Sequence, residues 1–105
     1  MKEISVTELK SMKDENKDFQ LIDVREPHEA DIASIGGELI PMGDVMDNAD
    51  KISKSKMVVV HCRSGARSAA IINALESQLG YTNLYNLKGG ILAWATEIDT
   101  TMSKY

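Results

Sequence analysis

Cys62 is the only cysteine of the chain, and it stands within His61-Cys62-Arg63-Ser64-Gly65-Ala66-Arg67-Ser68. The apolar run Met57-Val58-Val59-Val60 precedes it and a helical pattern follows. That order places a thiol at a strand end, in a loop of backbone N–H groups that faces a helix N-terminus. Such a loop cradles anions and favours thiolate over thiol. Backbone donors from Arg63, Ser64, Gly65, Ala66 and Arg67 are placed to face the sulfur, and Ser64 and Ser68 add hydroxyls. Gly65 lets the loop curl where a Cβ would crowd it. Arg63 and Arg67 bring two lasting positive charges suited to an oxyanion or an anionic sulfur. Arg67 is assigned to the cradle, while Arg63 reads as outward-facing, toward a small donor or a partner. Ser68 is also placed to cap the helix that follows. The chemistry is that of a nucleophilic cysteine. A buried cysteine is often an inert small hydrophobe, but Arg-Ser-Gly-Ala-Arg is the wrong setting for a core and the right one for an anion.

Asp23 and Arg25 follow a predicted strand and fall near the edge of the sheet where α/β sites lie. For Arg25 the favoured role is to hold the turn by pairing with Glu26, Glu29 or a nearby carbonyl, since arginine suits fixed bidentate pairing. His61 ends the buried strand with its ring satisfied by backbone, because a thiolate already formed needs no general base. Trp94 and the methionines read as core, and Gly89-Gly90 as turn geometry beneath the site.

The elements that must hold these residues alternate between strand and helix, which predicts an α/β fold with a mainly parallel sheet. Glu3 to Val6 reads as a short strand, with Thr7 capping a helix over Glu8 to Glu15. Phe19 to Val24 is a second strand, and Pro27 suits the first turn of a short helix. Ile35-Gly36-Gly37 turns into a short strand that Pro41 ends. Asp44 to Ile52 is a weak helix. Met57 to His61 is apolar nearly throughout, as a strand buried on both faces should be. Ser68 to Leu79 is a helix with Ile71, Ile72, Leu75 and Leu79 along one side, and Gly80 at its C-terminal cap. Leu84 to Leu87 is the last strand, and Gly89-Gly90 leads into a final helix.

Length and composition narrow the classes. Residues 1–105 fit one domain, and 43% hydrophobic with 27% charged residues is ordinary for a globular protein. Only 5% are aromatic, so the core must rest on aliphatic side chains. The formal charge of −4 argues against nucleic-acid binding. One cysteine permits no internal disulfide, and 2 histidines are too few for a metal site. No run reaches a membrane span and the start lacks a signal-peptide pattern. The expected setting is a reducing cytoplasm, with no membrane partner and no cofactor.

These segments together resemble the rhodanese (sulfurtransferase) family over nearly the whole chain. The resemblance is carried by Leu21-Ile22-Asp23-Val24-Arg25-Glu26, by Ile35-Gly36-Gly37 leading to Ile40-Pro41, by Cys62 to Arg67, and by Leu87-Lys88-Gly89-Gly90-Ile91-Leu92-Ala93-Trp94. It implies a rhodanese-like, five-stranded parallel sheet with helices on both faces and the cysteine loop at the C-terminal edge. It also implies that Cys62 takes the outer sulfur of a small anionic donor such as thiosulfate, becomes a persulfide, and yields that sulfur to cyanide, a thiol or a protein thiolate.

One departure bears on partners. Many members carry Gly-His-Ile-Pro-Gly-Ala before the third strand, whereas this chain has Ser34-Ile35-Gly36-Gly37-Glu38-Leu39. That variant resembles rhodanese-like modules linked to adenylating enzymes, and by analogy it favours a sulfur-relay protein partner. Two other readings share the motif. A cysteine phosphatase or arsenate reductase would use a thiolate and an arginine, but with five residues between them, and only Arg63 to Ala66 intervene here. A sulfur-carrier or regulatory module without turnover is the other, and the retained cysteine speaks for sulfur chemistry.

Overall fold

Val-Val-Val-His is the most deeply buried strand of the molecule, and the rest of the fold is arranged about it. The computed structural model describes residues 1–105. Its strands are β1 (Glu3–Ile4), β2 (Gln20–Asp23), β3 (Glu38–Leu39), β4 (Val58–His61) and β5 (Leu84–Leu87). They form one sheet in the order β1-β5-β4-β2-β3, and every neighbouring pair is parallel. Parallel strands need crossover connections, which here are α1 (Val6–Asp14), α2 (Pro27–Ile32), the two 3-10 segments Met42–Asp44 and Met46–Lys51, and α3 (Ala66–Leu79), while α4 (Gly90–Glu97) follows the last strand. Central β4 sits between β2 and β5, with Val60 opposite both Ile22 and Asn86.

Alternation along the strands sorts the core into two layers. Val58, Val60, Ile22 and Leu84 meet Ile71, Ile72 and Leu75 of α3 on one face. Val59, Ile4 and Leu87 meet Val6 and Leu9 of α1 and Ile91 and Trp94 of α4 on the other. Each fully buried aliphatic side chain of these layers contributes about 1.5–3 kcal/mol. Helices therefore cover both faces, as the sequence predicts. Because all strands run one way, their C-terminal ends share one edge, and Asp23, His61 and the residues after them converge there.

Local chemistry shifts several boundaries. Ser5, not Thr7, caps α1: its Oγ accepts the Glu8 N–H at 3.1 Å while its own N–H donates to Glu8 Oε1 at 3.2 Å. Thr7 lacks a glutamate at the matching position, and the reciprocal capping box decides the start. Pro27 occupies the first turn of α2 as expected. The weak helix over Asp44 to Ile52 is instead 3-10, broken at Asn48 (φ −120°, ψ 22°). Gly80 closes α3 in the left-handed conformation (φ 71°). Trp94 is core, but Met1, Met42 and Met46 are exposed, so not every methionine packs inside.

Candidate active site

β4 ends at His61, and the next residue, Cys62, is 1% exposed. The chain then turns so that N–H groups point back at the sulfur. Sγ receives the Gly65 N–H at 3.1 Å and the Ser68 N–H at 3.5 Å, and Ser68 Oγ stands 3.4 Å away. Gly65 makes this return possible with φ +108°, a conformation side-chain-bearing residues rarely adopt. Burial opposes ionisation of the thiol. The Ser68 hydroxyl and the N–H groups of Ser68, Gly65 and Ser64 outweigh it, and the Cys62 pKa falls below its ordinary value.

The loop is held from outside by two elements. Gly90 and the first turn of α4 lie against it: the Ile91 N–H donates to the Cys62 carbonyl at 3.0 Å and the Leu92 N–H to the Arg63 carbonyl at 3.1 Å. Gly90 has φ +59°, and a Cβ there would lie 2.5 Å from the Arg63 carbonyl oxygen. From β5, Asn86 accepts the Ser68 hydroxyl at 2.6 Å and donates to the Gly65 carbonyl at 3.1 Å. Helix α3 starts at Ala66 with Gly65 as its cap, so Ser68 lies inside the first turn. Its hydroxyl serves the sulfur and Asn86 and does not cap the helix.

The cations are distributed unevenly. Arg67 is engaged by Glu29, with Nη1 to Oε1 at 2.7 Å and Nη2 to Oε2 at 2.9 Å, and it makes no hydrogen bond to Sγ. That pairing, ahead of burial, holds the Glu29 carboxyl well below the usual carboxylate range and raises Arg67. Ser64 and Ala66 are exposed, and so is Arg63, whose guanidinium lies 5.1 Å from the Tyr105 ring centroid. Arg63 has no carboxylate partner.

Asp23 and Arg25 form a buried bidentate pair, Nε to Oδ1 at 2.9 Å and Nη2 to Oδ2 at 2.8 Å. Arg25 also donates to the carbonyls of Ala33 at 2.8 Å and Glu29 at 3.3 Å, and from Nη1 to the Tyr105 hydroxyl at 2.9 Å. It holds the turn, as expected, although its carboxylate partner is Asp23. His61 is fully buried, with Nδ1 3.4 Å from the Cys62 carbonyl and Nε2 without a hydrogen-bond partner. Burial pushes its pKa down.

The structure thus gathers Cys62, Arg63, Ser64, Gly65, Ala66, Arg67 and Ser68 into one loop, with Asp23 and Arg25 at the same sheet edge. Sequence reasoning missed Asn86 and Tyr105 as members of the site, and it named Glu29 only as a partner for Arg25. A lone polar residue within Leu84-Tyr85-Asn86-Leu87 was a signal for Asn86. Nothing local marks Tyr105.

A parallel α/β fold that delivers a thiol into a ring of N–H donors defines a class of cysteine-loop domains. This chain belongs to the rhodanese-like domain family, whose model matches residues 5–97. It is 40% identical to a protein of Allochromatium vinosum named "Sulfurtransferase", over 77% of this chain and 76% of that one. It is 34% identical over 97% of its length to a Mycobacterium tuberculosis protein named "Probable adenylyltransferase/sulfurtransferase MoeZ". Among solved structures, a rhodanese-like domain protein from Staphylococcus aureus superposes with a TM-score of 0.81 at 35% identity, covering 90% of this chain and 91% of that one. The chain spans only 26% of the MoeZ protein and 38% of another curated relative that it matches along its whole length.

Proposed function

We propose that the protein is a sulfurtransferase that carries sulfane sulfur as a persulfide on Cys62. The observation that supports this best is the pair of N–H groups aimed at Sγ from Gly65 and Ser68. In the first half-reaction the Cys62 thiolate attacks the outer sulfur of a donor such as thiosulfate. A new S–S bond forms, the donor's S–S bond breaks, and its electron pair leaves on sulfite. In the second, cyanide or a thiolate attacks the outer sulfur of the persulfide, and the electron pair returns to Cys62. No net proton, metal or organic cofactor is required by these steps. The persulfide places its negative charge one bond beyond Sγ, where Ser64, Gly65, Ala66 and Arg67 offer N–H groups. Residues 1–105 act in this reading as one rhodanese-like domain in a reducing, cytoplasmic setting. Similarity to a protein named for both adenylyl and sulfur transfer supports delivery to a protein partner.

The test is intact-protein mass after incubation with thiosulfate and then with cyanide. The expected result is a gain of one sulfur, erased by cyanide with release of thiocyanate and absent in Cys62→Ala, whose melting temperature stays near that of the parent. Sulfur loading that survives Cys62→Ala would end the mechanism.

A further inference from the structure

Three arginines stand at the active edge, and two are neutralised. Arg25 is committed to Asp23 and Arg67 to Glu29, each through two hydrogen bonds to the carboxylate. Arg63 alone has no carboxylate. What meets its side chain is the ring of Tyr105, from the segment that follows α4 and returns across the domain, anchored by Met102 and Tyr105 against the second core layer. Tyr105 also meets Arg25 directly, and Arg67 only through Glu29. Its hydroxyl accepts from Arg25 at 2.9 Å and donates at 2.8 Å to Glu29 Oε2, an oxygen of the same carboxylate that clamps Arg67.

A free surface arginine samples many rotamers, and fixing one costs side-chain entropy. A ring beneath the guanidinium offsets part of that cost, since the ring face attracts the cation. The ring spreads its interaction over a face and leaves the guanidinium N–H edge open. A carboxylate in the same place would occupy that edge and cancel the charge.

We propose that Tyr105 is a specificity-determining positioning residue: its ring holds Arg63 beside the cysteine loop as the one arginine of that edge without a carboxylate partner, there to receive a small anionic sulfur donor. This deepens the sulfur-transfer reading and rests on it for the donor's chemistry. The anion enters against Arg63, and Arg67 stays paired behind it.

The test compares alkylation of Cys62 by iodoacetate, an anion, with that by neutral iodoacetamide, alongside thiosulfate kinetics. The rate ratio reports local positive charge whether or not sulfur is transferred. Tyr105→Leu, which fills space without a ring, should lower the iodoacetate-to-iodoacetamide ratio roughly threefold, the effect of one displaced unit charge near the sulfur. It should also raise KM for thiosulfate by a similar factor with little change in kcat. Arg63→Ala should do the same, the double variant should lose no more than either alone, and Tyr105→Phe should keep the parental ratio. An unchanged ratio in Tyr105→Leu, a further drop in the double variant, or a Tyr105→Phe that behaves like Leu would each overturn the proposal. A parent that loads no sulfur yet keeps the pattern of ratios would sink the sulfur-transfer reading and leave the anion-positioning role of Tyr105 standing.

Discussion

The Ser68 hydroxyl has one proton and two claimants. With Cys62 as a thiol, the Ser68 hydroxyl donates that proton to Asn86 Oδ1 at 2.6 Å, and Sγ at 3.4 Å can donate to Ser68 Oγ. With Cys62 as a thiolate, the hydroxyl gains a stronger, charged acceptor. Ionisation at Sγ is therefore coupled to a switch within the Ser68–Asn86 pair, and Ser68 is the side chain through which β5 feels the charge of the sulfur. Ser68→Ala should raise the Cys62 pKa, read as thiolate absorbance against pH. It should also cost about 1–3 kcal/mol of stability in denaturant titration, because the buried Asn86 oxygen loses its donor. A titration that matches the parent would remove the hydroxyl from the set of groups that hold the thiolate.

At the scale of elements, the loop is shaped as much by α4 as by its own residues. Gly90 brings the first turn of α4 so close that its N–H groups reach the carbonyls of Cys62 and Arg63, which frees the loop's N–H groups to face inward. Gly90→Ala meets both a positive φ and a backbone clash, so a loss of at least about 2 kcal/mol is expected, a fall in Tm of roughly 8 °C or more. Gly43, with nothing within 4 Å of its would-be Cβ, should accept alanine with a change under about 1 kcal/mol. Equal melting temperatures for the two variants would contradict the packing described. The same contrast explains what the sequence could reveal. Strand β4, the cysteine loop and α3 are contiguous, so their chemistry and periodicity could be read together, and the alternation of strands and helices gave the sheet. Glu29 lies 38 residues from Arg67, and Tyr105 lies 76 residues from Glu29. Their roles arise only when the sheet brings the segments to one edge, and no local pattern encodes that. Thr7 and Ser5 are both good caps on their own, and only the pairing of Ser5 with Glu8 separates them.

Across the whole molecule, the groups with displaced pKa values give stability a direction with pH. His61 is fully buried, and its pKa lies below the ordinary value of about 6.5. Its neighbour Asp23, 3.8 Å from Nε2, already gives both carboxylate oxygens to Arg25, so little is left to compensate a proton on the ring. As pH falls below about 6.5 the unfolded chain takes up a proton that the folded protein refuses. Stability is thus fully present above that point and is lost as pH falls toward the folded pKa, by up to about 1.4 kcal/mol per pH unit. Glu29, held low by Arg67, adds a second loss of the same sign that begins only near about pH 4.3. The two windows can be separated. His61→Leu removes the ring whose Nε2 has no partner and should flatten stability between about pH 7 and pH 5, while the decline below pH 4.3 persists. Urea titrations of both proteins across that range decide it: a slope that survives the substitution would assign the neutral-to-acid loss to some other group, and a decline abolished at all pH values would break the separation between His61 and the Glu29–Arg67 pair.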